Sequence, residues 1–219
     1  MTGTTIALPD GITAAEFELI KGTFLQWKVG TSPGTNHVSA LTTFAEHNPC
    51  TFNLFNKASG VFLQWERQPL GINLGWTDHA DAATATRVSR WFARRENGDT
   101  ASPIKYGERL ALGYGTKPSF YRYQHRDVGI NLSNVEAPAY EWVIYGGPAG
   151  TPVKPGAMVG LYNVQVETDH GRGDFMVRHL RQGAGNIGWI SSPESWRLYP
   201  FLMKHKTDIV KFVLPLLLG

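Results

Sequence analysis

The sequence has little cysteine and little charge. Cys50 is its only cysteine among 219 residues, so a disulfide framework within the chain is excluded. Charged residues make up 18% of the chain, against about 25% in average globular proteins, and the formal net charge is only +3. Because the chain also has no run of basic residues, we expect no nucleic-acid partner. The hydrophobic content of 42% argues against disorder.

Long apolar segments are also lacking. Residues 1–10 contain no basic residue and no long apolar stretch, so they do not resemble a secretory signal. The apolar tail at 204–219 includes the run 212–218, which is far shorter than the about 20 residues of a membrane-spanning helix. We therefore expect no transmembrane segment and, by default, a soluble cytoplasmic protein, with export by another route left open. The tail is interpreted as packed on the domain, with a contact between copies in a homo-oligomer or a patch that touches a membrane as the alternatives.

A threefold internal repeat is the main feature that is present. Residues 71–76 (Gly-Ile-Asn-Leu-Gly-Trp) recur as residues 129–133 (Gly-Ile-Asn-Leu-Ser) and as residues 185–189 (Gly-Asn-Ile-Gly-Trp). A tryptophan follows each copy, with spacings of 51 and 54 residues, at Trp91, Trp142 and Trp196. Since several markers recur in one order, the chain contains three related units. A feature that repeats with the fold indicates packing, so we predict that these three tryptophans are buried, and Trp76 and Trp189 with them.

Each unit has the pattern of four short strands separated by glycine, proline, asparagine and aspartate. The predicted strands are 50–56, 61–66, 71–76 and 88–95 in the first unit, 108–114, 119–124, 128–133 and 140–145 in the second, and 157–163, 174–180, 186–191 and 195–200 in the third. A single unit would leave open edges and an apolar face, whereas three units together can bury both.

This arrangement resembles the β-trefoil superfamily, in which three such units close a six-stranded barrel capped by three hairpins. The resemblance covers about residues 48–203, with units at about 48–100, 101–150 and 151–203, and it implies an all-β fold. The repeated strand entry is most similar to lectin-like and fascin-like trefoils. The Gln-x-Trp signature of ricin-type lectins is replaced by adjacent Gln64 and Trp65.

The segment 1–47 lies outside the repeat and is predicted to be an N-terminal extension. Residues 24–27 duplicate residues 62–65 as Phe-Leu-Gln-Trp. The duplication predicts an added strand around residues 17–29. That strand is interpreted as a partial fourth unit, as a strand laid along the barrel, or as a swapped contact.

The resemblance implies a non-enzymatic, lectin-like protein that binds glycans or glycoproteins and needs no cofactor. The alternative is a protein-binding trefoil of the cytoskeleton-binding, toxin-associated or protease-inhibiting kind; a hydrolase with paired carboxylates is the least favoured interpretation. An aromatic ring can stack on a sugar while amides and carboxylates bind its hydroxyl groups. The candidate carbohydrate-binding residues are Trp65 and Tyr123 for stacking, and Asn73, Asp78, Asp127, Asn131 and Asn186 for hydrogen bonding.

Two further motifs are interpreted without a specific function. The seven histidines show no metal-ligand spacing, so no metal site is expected. Residues 172–174 spell Arg-Gly-Asp, the tripeptide of integrin ligands, and we interpret them as a polar turn.

Overall fold

The computed structural model describes residues 6–28, 51–56, 61–65, 74–77, 91–99, 102–114, 119–125, 131–154, 156–168, 171–178 and 187–190. Within these ranges the elements are α1 (Ala14–Ile20), the 3-10 helix η1 (Lys21–Thr23), β1 (Leu25–Lys28), β2 (Thr51–Asn56), β3 (Val61–Gln64), β4 (Gly75–Thr77), β5 (Trp91–Arg95), β6 (Arg109–Tyr114), β7 (Phe120–Tyr123), β8 (Leu132–Val135), β9 (Tyr140–Tyr145), β10 (Met158–Thr168), β11 (Gly171–Arg178) and β12 (Ile187–Trp189). The expectation of an all-β protein is confirmed. Over the same ranges, no helix has the length and apolar character that crossing a membrane requires.

The helix α1 replaces the first part of a predicted strand. Thr13 caps the helix: its side chain accepts a hydrogen bond from the backbone N–H of Glu16, while the Glu16 carboxylate accepts one from the backbone N–H of Thr13 at 2.9 Å. Phe17 and Ile20, three residues apart, are the buried residues of this helix. The strand prediction over 17–29 was therefore wrong except for Leu25–Lys28, because the capping box and helical spacing of apolar residues decide the conformation of the earlier part.

The strands form one antiparallel sheet of twelve strands within the described part of the chain. Six of them pair in a ring, in the order β10, β1, β2, β5, β6 and β9, and β9 pairs again with β10. The other six strands form three hairpins that extend from alternate members of the ring. The hairpin β3–β4 pairs with β2, β7–β8 pairs with β6, and β11–β12 pairs with β10.

The three ring strands that carry hairpins (β2, β6 and β10) present equivalent residues to the core. Side chains alternate between the two faces of a strand, so every second residue points inward. The inward positions form three layers of three residues, all of them buried: Phe52, Leu110 and Val159, then Leu54, Leu112 and Leu161, then Asn56, Tyr114 and Asn163. The middle layer is leucine in all three strands, which matches the threefold repeat of the sequence.

The other three ring strands (β5, β9 and β1) lie between these strands in equivalent register. The matching pairs are Trp91 with Phe52, Trp142 with Leu110, and Leu25 with Val159. Trp91 and Trp142 are buried, as predicted, and each indole N–H donates to a backbone carbonyl of the hairpin in its own unit. Trp76 and Trp189 are half-buried against the same core, and the predicted strand 195–200 with Trp196 lies outside the described residues.

A second apolar cluster attaches the N-terminal segment to the outer side of β10 and β11. Phe17 and Phe24 contact the ring of Phe175 at centroid distances of 6.2 and 5.6 Å. Gly160 allows this approach, since a Cβ atom there would lie 2.6 Å from the rings of both Phe24 and Phe175. The N-terminal segment is thus anchored to the third unit.

Candidate functional site

The predicted site residues are distributed over different units. Trp65 directly follows β3 and is 39% exposed, which makes it one of the few large apolar side chains on the described surface. Tyr123 ends β7 and Asn131 precedes β8, and both are half-buried. The predicted residues that lie outside the described residues are Asn73, Asp78, Asp127 and Asn186.

Trp65 and Tyr123 occupy equivalent places in their units. Each lies two residues after the residue whose carbonyl accepts the indole N–H, which is Leu63 in the first unit and Tyr121 in the second. Both aromatic residues therefore stand where the second strand of a unit leaves the core. The equivalent residue of the third unit is Arg178, the last residue of β11.

Tyr123 is held by an aromatic column that begins in the core. Trp142 stacks on Trp189 with ring centroids 6.0 Å apart, and Trp189 in turn meets Tyr123 edge to face at 6.4 Å. Gln124 donates its backbone N–H to the carbonyl of Asn131 at 3.2 Å. The structure thus brings Tyr123 and Asn131 together at one end of the β7–β8 hairpin, whereas Trp65 belongs to another unit.

Glu141 is hydrogen-bonded to this end of the β7–β8 hairpin. Its Oε1 atom accepts hydrogen bonds from the backbone N–H of Tyr123 and, at 2.8 Å, from Nδ2 of Asn163. Burial raises the pKa of Glu141, against the smaller lowering effects of Asn163, Tyr123 and Arg122. Glu141 is not among the residues predicted from the sequence. Its only signal is a carboxylate directly before a repeated tryptophan.

Asp174 is the most deeply buried carboxyl group of the described residues. It has no exposed surface, and its register partner across β10 and β11 is Asn163, which is also fully buried. Oδ1 accepts the backbone N–H of Phe175 at 2.7 Å, while Oδ2 has no hydrogen-bond partner among the described residues. Burial raises the pKa of Asp174 to about 9, so the side chain is neutral at pH 7.

The Arg-Gly-Asp tripeptide does not form the polar turn that the sequence predicted. Residues 172–174 lie within β11, and the Asp174 carboxyl group faces the interior. An integrin-type ligand presents its aspartate to a partner, whereas the Asp174 side chain has no exposed surface in this fold.

The space in the core where the hairpins meet the ring is not a small-molecule pocket. Its lining is apolar and leaves no room for a water molecule; it consists of Leu74, Trp91, Leu112, Tyr121, Leu132, Trp142 and Met176. Over the described ranges, no three His, Cys, Asp or Glu side chains lie close enough to hold a metal ion. The candidate ligand contacts described above therefore lie at the surface, at the ends of the hairpin strands.

Comparisons with protein-family models, curated proteins and solved structures find no match to this chain.

Proposed function

We propose that the chain is a β-trefoil that binds carbohydrate without catalysing a reaction. The trefoil proposal is supported by the ring of six strands, by the three hairpins on alternate ring strands, and by the equivalent register of the units. In this arrangement β1 takes the place of the fourth strand of the third unit, so the N-terminal extension completes the fold rather than lying beside it.

The binding proposal rests on one observation: aromatic residues stand at equivalent hairpin ends in two units. Trp65 is 39% exposed at the end of β3, and Tyr123 stands at the same place in the next unit beside Asn131. A flat ring at the surface can stack on the C–H face of a sugar, and a neighbouring amide can bind a hydroxyl group. The polar partners proposed from the sequence are Asn73, Asp78, Asp127, Asn131 and Asn186, with glycans or glycoproteins as the ligands.

The carboxyl groups with raised pKa values support a non-enzymatic role. Glu141 already accepts two hydrogen bonds from the protein, and Asp174 has no surface that a substrate could touch. Hydrolysis of glycosides uses two carboxyl groups that both reach the scissile bond. These two residues do not meet that requirement.

The test is calorimetric titration with a panel of neutral mono- and oligosaccharides at low and at high salt. We expect heat from at least one sugar, little change with salt because neutral hydroxyl groups form directional hydrogen bonds, and a loss of affinity of tenfold or more in Trp65→Ala. Leu19→Ala is the matched control, since it removes another exposed apolar side chain, on α1.

Two outcomes would contradict the proposal. If no sugar produces heat, carbohydrate binding is wrong and the protein-binding trefoil becomes the first candidate. If only heparin binds and the binding disappears at high salt, the interaction is one of charge, and the neutral-sugar site does not exist.

A further inference from the structure

The turn that follows β5 contains the one Asn-Gly pair of the sequence, Asn97 and Gly98. Both residues are exposed, and the turn connects β5 to the segment that leads into β6. Gly98 has a φ of +73°, and nothing lies within 4 Å of the position where a Cβ atom would be. Because glycine has no Cβ atom, and because the space around it is open, a group that approaches the peptide nitrogen of Gly98 meets no steric hindrance.

The side chain of Asn97 folds back onto the chain that follows it. Its Oδ1 atom accepts the backbone N–H of Asp99 at 3.0 Å. Since a backbone N–H can only donate, its partner must be the carbonyl oxygen of the side-chain amide. Such a donor draws electrons from Cγ and stabilises negative charge that develops on the oxygen, as the donors of an oxyanion hole do. Cγ of Asn97 is thus polarised towards attack by a nucleophile.

The peptide nitrogen of Gly98 is the nucleophile nearest to Cγ along the chain, since a bond between the two atoms closes a five-membered ring. This nitrogen donates its N–H to the carbonyl of Arg95 at 3.1 Å, and that bond must break before the nitrogen can lose its proton. In an exposed turn, a hydrogen bond to the protein is exchanged for one to water at a small net cost. The bond to Arg95 therefore does not prevent the reaction in the folded protein.

We propose that Asn97 is a site of spontaneous covalent modification, which proceeds through a succinimide formed with Gly98. The Gly98 nitrogen gives its proton to hydroxide and bonds to Cγ of Asn97, while the bond from Cγ to Nδ2 breaks and Nδ2 takes a proton from water and leaves as ammonia. Water then opens the ring at one of its two carbonyl carbons. Opening at Cγ gives aspartate at position 97, whereas opening at the backbone carbonyl carbon gives isoaspartate, whose main chain runs through the former side chain.

The isoaspartate product alters a turn that contacts a buried arginine. Arg95 is 6% exposed; its Nη1 atom donates to the carbonyl of Asp99 at 3.0 Å, and its Nε atom donates to the carboxylate of Glu108 at 3.2 Å. The extra main-chain atom at position 97 displaces the Asp99 carbonyl, and loss of an acceptor for a buried charged group lowers stability. We therefore expect the modification to loosen the connection between the first and second units.

Peptide mapping by mass spectrometry tests the proposal on the whole protein. The protein is incubated at mildly alkaline pH, either folded or unfolded in urea, and is digested at intervals. Conversion of an amide to an acid changes the peptide mass, and chromatography separates the aspartate and isoaspartate peptides, which have equal masses. The internal control is Asn134, an exposed asparagine in β8. It precedes Val135, whose branched Cβ atom hinders attack by its peptide nitrogen.

We expect Asn97 of the folded protein to convert at least tenfold faster than Asn134 and to give both products. Gly98→Ala should slow the conversion at least tenfold, with circular dichroism as the check that this variant folds. The isoaspartate form should melt at a lower temperature than the unmodified protein, and equal melting temperatures would contradict the effect on Arg95.

Three outcomes would overturn the modification itself. The first is conversion of Asn97 that is no faster than that of Asn134, or that occurs only in urea. The second is an unchanged rate in Gly98→Ala. The third is aspartate as the sole product, which indicates direct hydrolysis of the amide without a ring; this product ratio is measured on the parent protein and needs no variant.

Discussion

The indole N–H of Trp142 donates a hydrogen bond of 2.7 Å to the backbone carbonyl of Tyr121, which lies 21 residues earlier. The same bond joins Trp91 to Leu63 in the first unit. Both bonds are buried, and each connects the last strand of a unit to its second strand. They therefore fasten the hairpins to the ring from inside the core.

Replacement of Trp142 should lower stability in two separable steps. Trp142→Phe keeps an aromatic ring but leaves the Tyr121 carbonyl without its indole donor, and we expect a loss of about 1–3 kcal/mol. Trp142→Ala also creates a cavity and should cost about 3–5 kcal/mol. Urea unfolding followed by circular dichroism measures both. Trp65→Ala is the surface control and should change stability by less than about 0.5 kcal/mol; equal effects at the two positions would contradict the packing role.

Asp174 should make stability fall as the pH rises. Its folded-state pKa is raised to about 9, whereas an aspartate in the unfolded chain has a pKa of about 3.9. Between these values the folded state holds a proton that the unfolded state has lost. Unfolding free energy therefore decreases with pH, by at most about 1.4 kcal/mol per unit, and it is highest below about pH 4 as far as this group is concerned.

The matching variant is Asp174→Asn, which cannot ionise. We expect its unfolding free energy to exceed that of the parent increasingly between pH 5 and pH 8, as measured by urea unfolding at several pH values. The control is Glu96→Gln, which likewise replaces a carboxyl group with an amide but at an exposed residue. Parallel pH profiles for the parent and Asp174→Asn would show that Asp174 ionises in the folded protein as it does in the unfolded chain.

Gly173 should tolerate no side chain. Its φ is +108°, and a Cβ atom there would lie 2.0 Å from the hydroxyl oxygen of Tyr162. Gly173→Ala combines backbone strain with a clash, each worth about 1–3 kcal/mol. Gly98→Ala separates the two effects, because Gly98 also has a positive φ but has open space around the added Cβ. Thermal unfolding should give a much higher melting temperature for Gly98→Ala than for Gly173→Ala. Adding Tyr162→Phe should not rescue Gly173→Ala, because ring carbons Cζ and Cε1 would still overlap the added Cβ.

Glu141 should matter for both stability and ligand binding. Glu141→Ala removes the acceptor of the Tyr123 N–H and of Asn163, and we expect a loss of about 1–3 kcal/mol of unfolding free energy. Since Tyr123 is a proposed stacking residue, the affinity for a sugar bound in the second unit should fall several-fold. Calorimetric titration of the sugar into Glu141→Ala and into the exposed control Glu136→Ala measures this change in affinity. An unchanged affinity would separate Glu141 from the binding surface and leave it a role in packing only.

Three strands of the ring could be predicted from the sequence because their signals are local. β2, β6 and β9 begin within one residue of the predicted positions and end where predicted, because glycine, proline and asparagine interrupt the chain around segments of alternating apolar residues. β10 extends to Thr168, beyond the predicted end at 163, through an irregular register between Asn163 and Glu167. Such an extension depends on pairing with β11, which no local pattern reports.

The candidate site was predictable only in part. An aromatic residue at the end of the second strand follows from the repeat, so the equivalence of Trp65 and Tyr123 was visible in the sequence. The exposure of Trp65, the aromatic column under Tyr123, and the bonds of Glu141 all depend on residues far apart in the chain. Composition and spacing carry no information about these contacts.

The sequence by itself determined the all-β character, the threefold repeat and the burial of Trp91 and Trp142, because alternation, turn residues and recurrence act over short stretches of chain. The tertiary structure alone decided that β1 fills the third place in the ring and that Asp174 is buried in the interior, where its pKa is raised. The physical reason is the same for both. Which strand fills a gap, and how much water reaches a carboxyl group, depend on segments more than a hundred residues apart meeting in space, as Leu25 meets Val159.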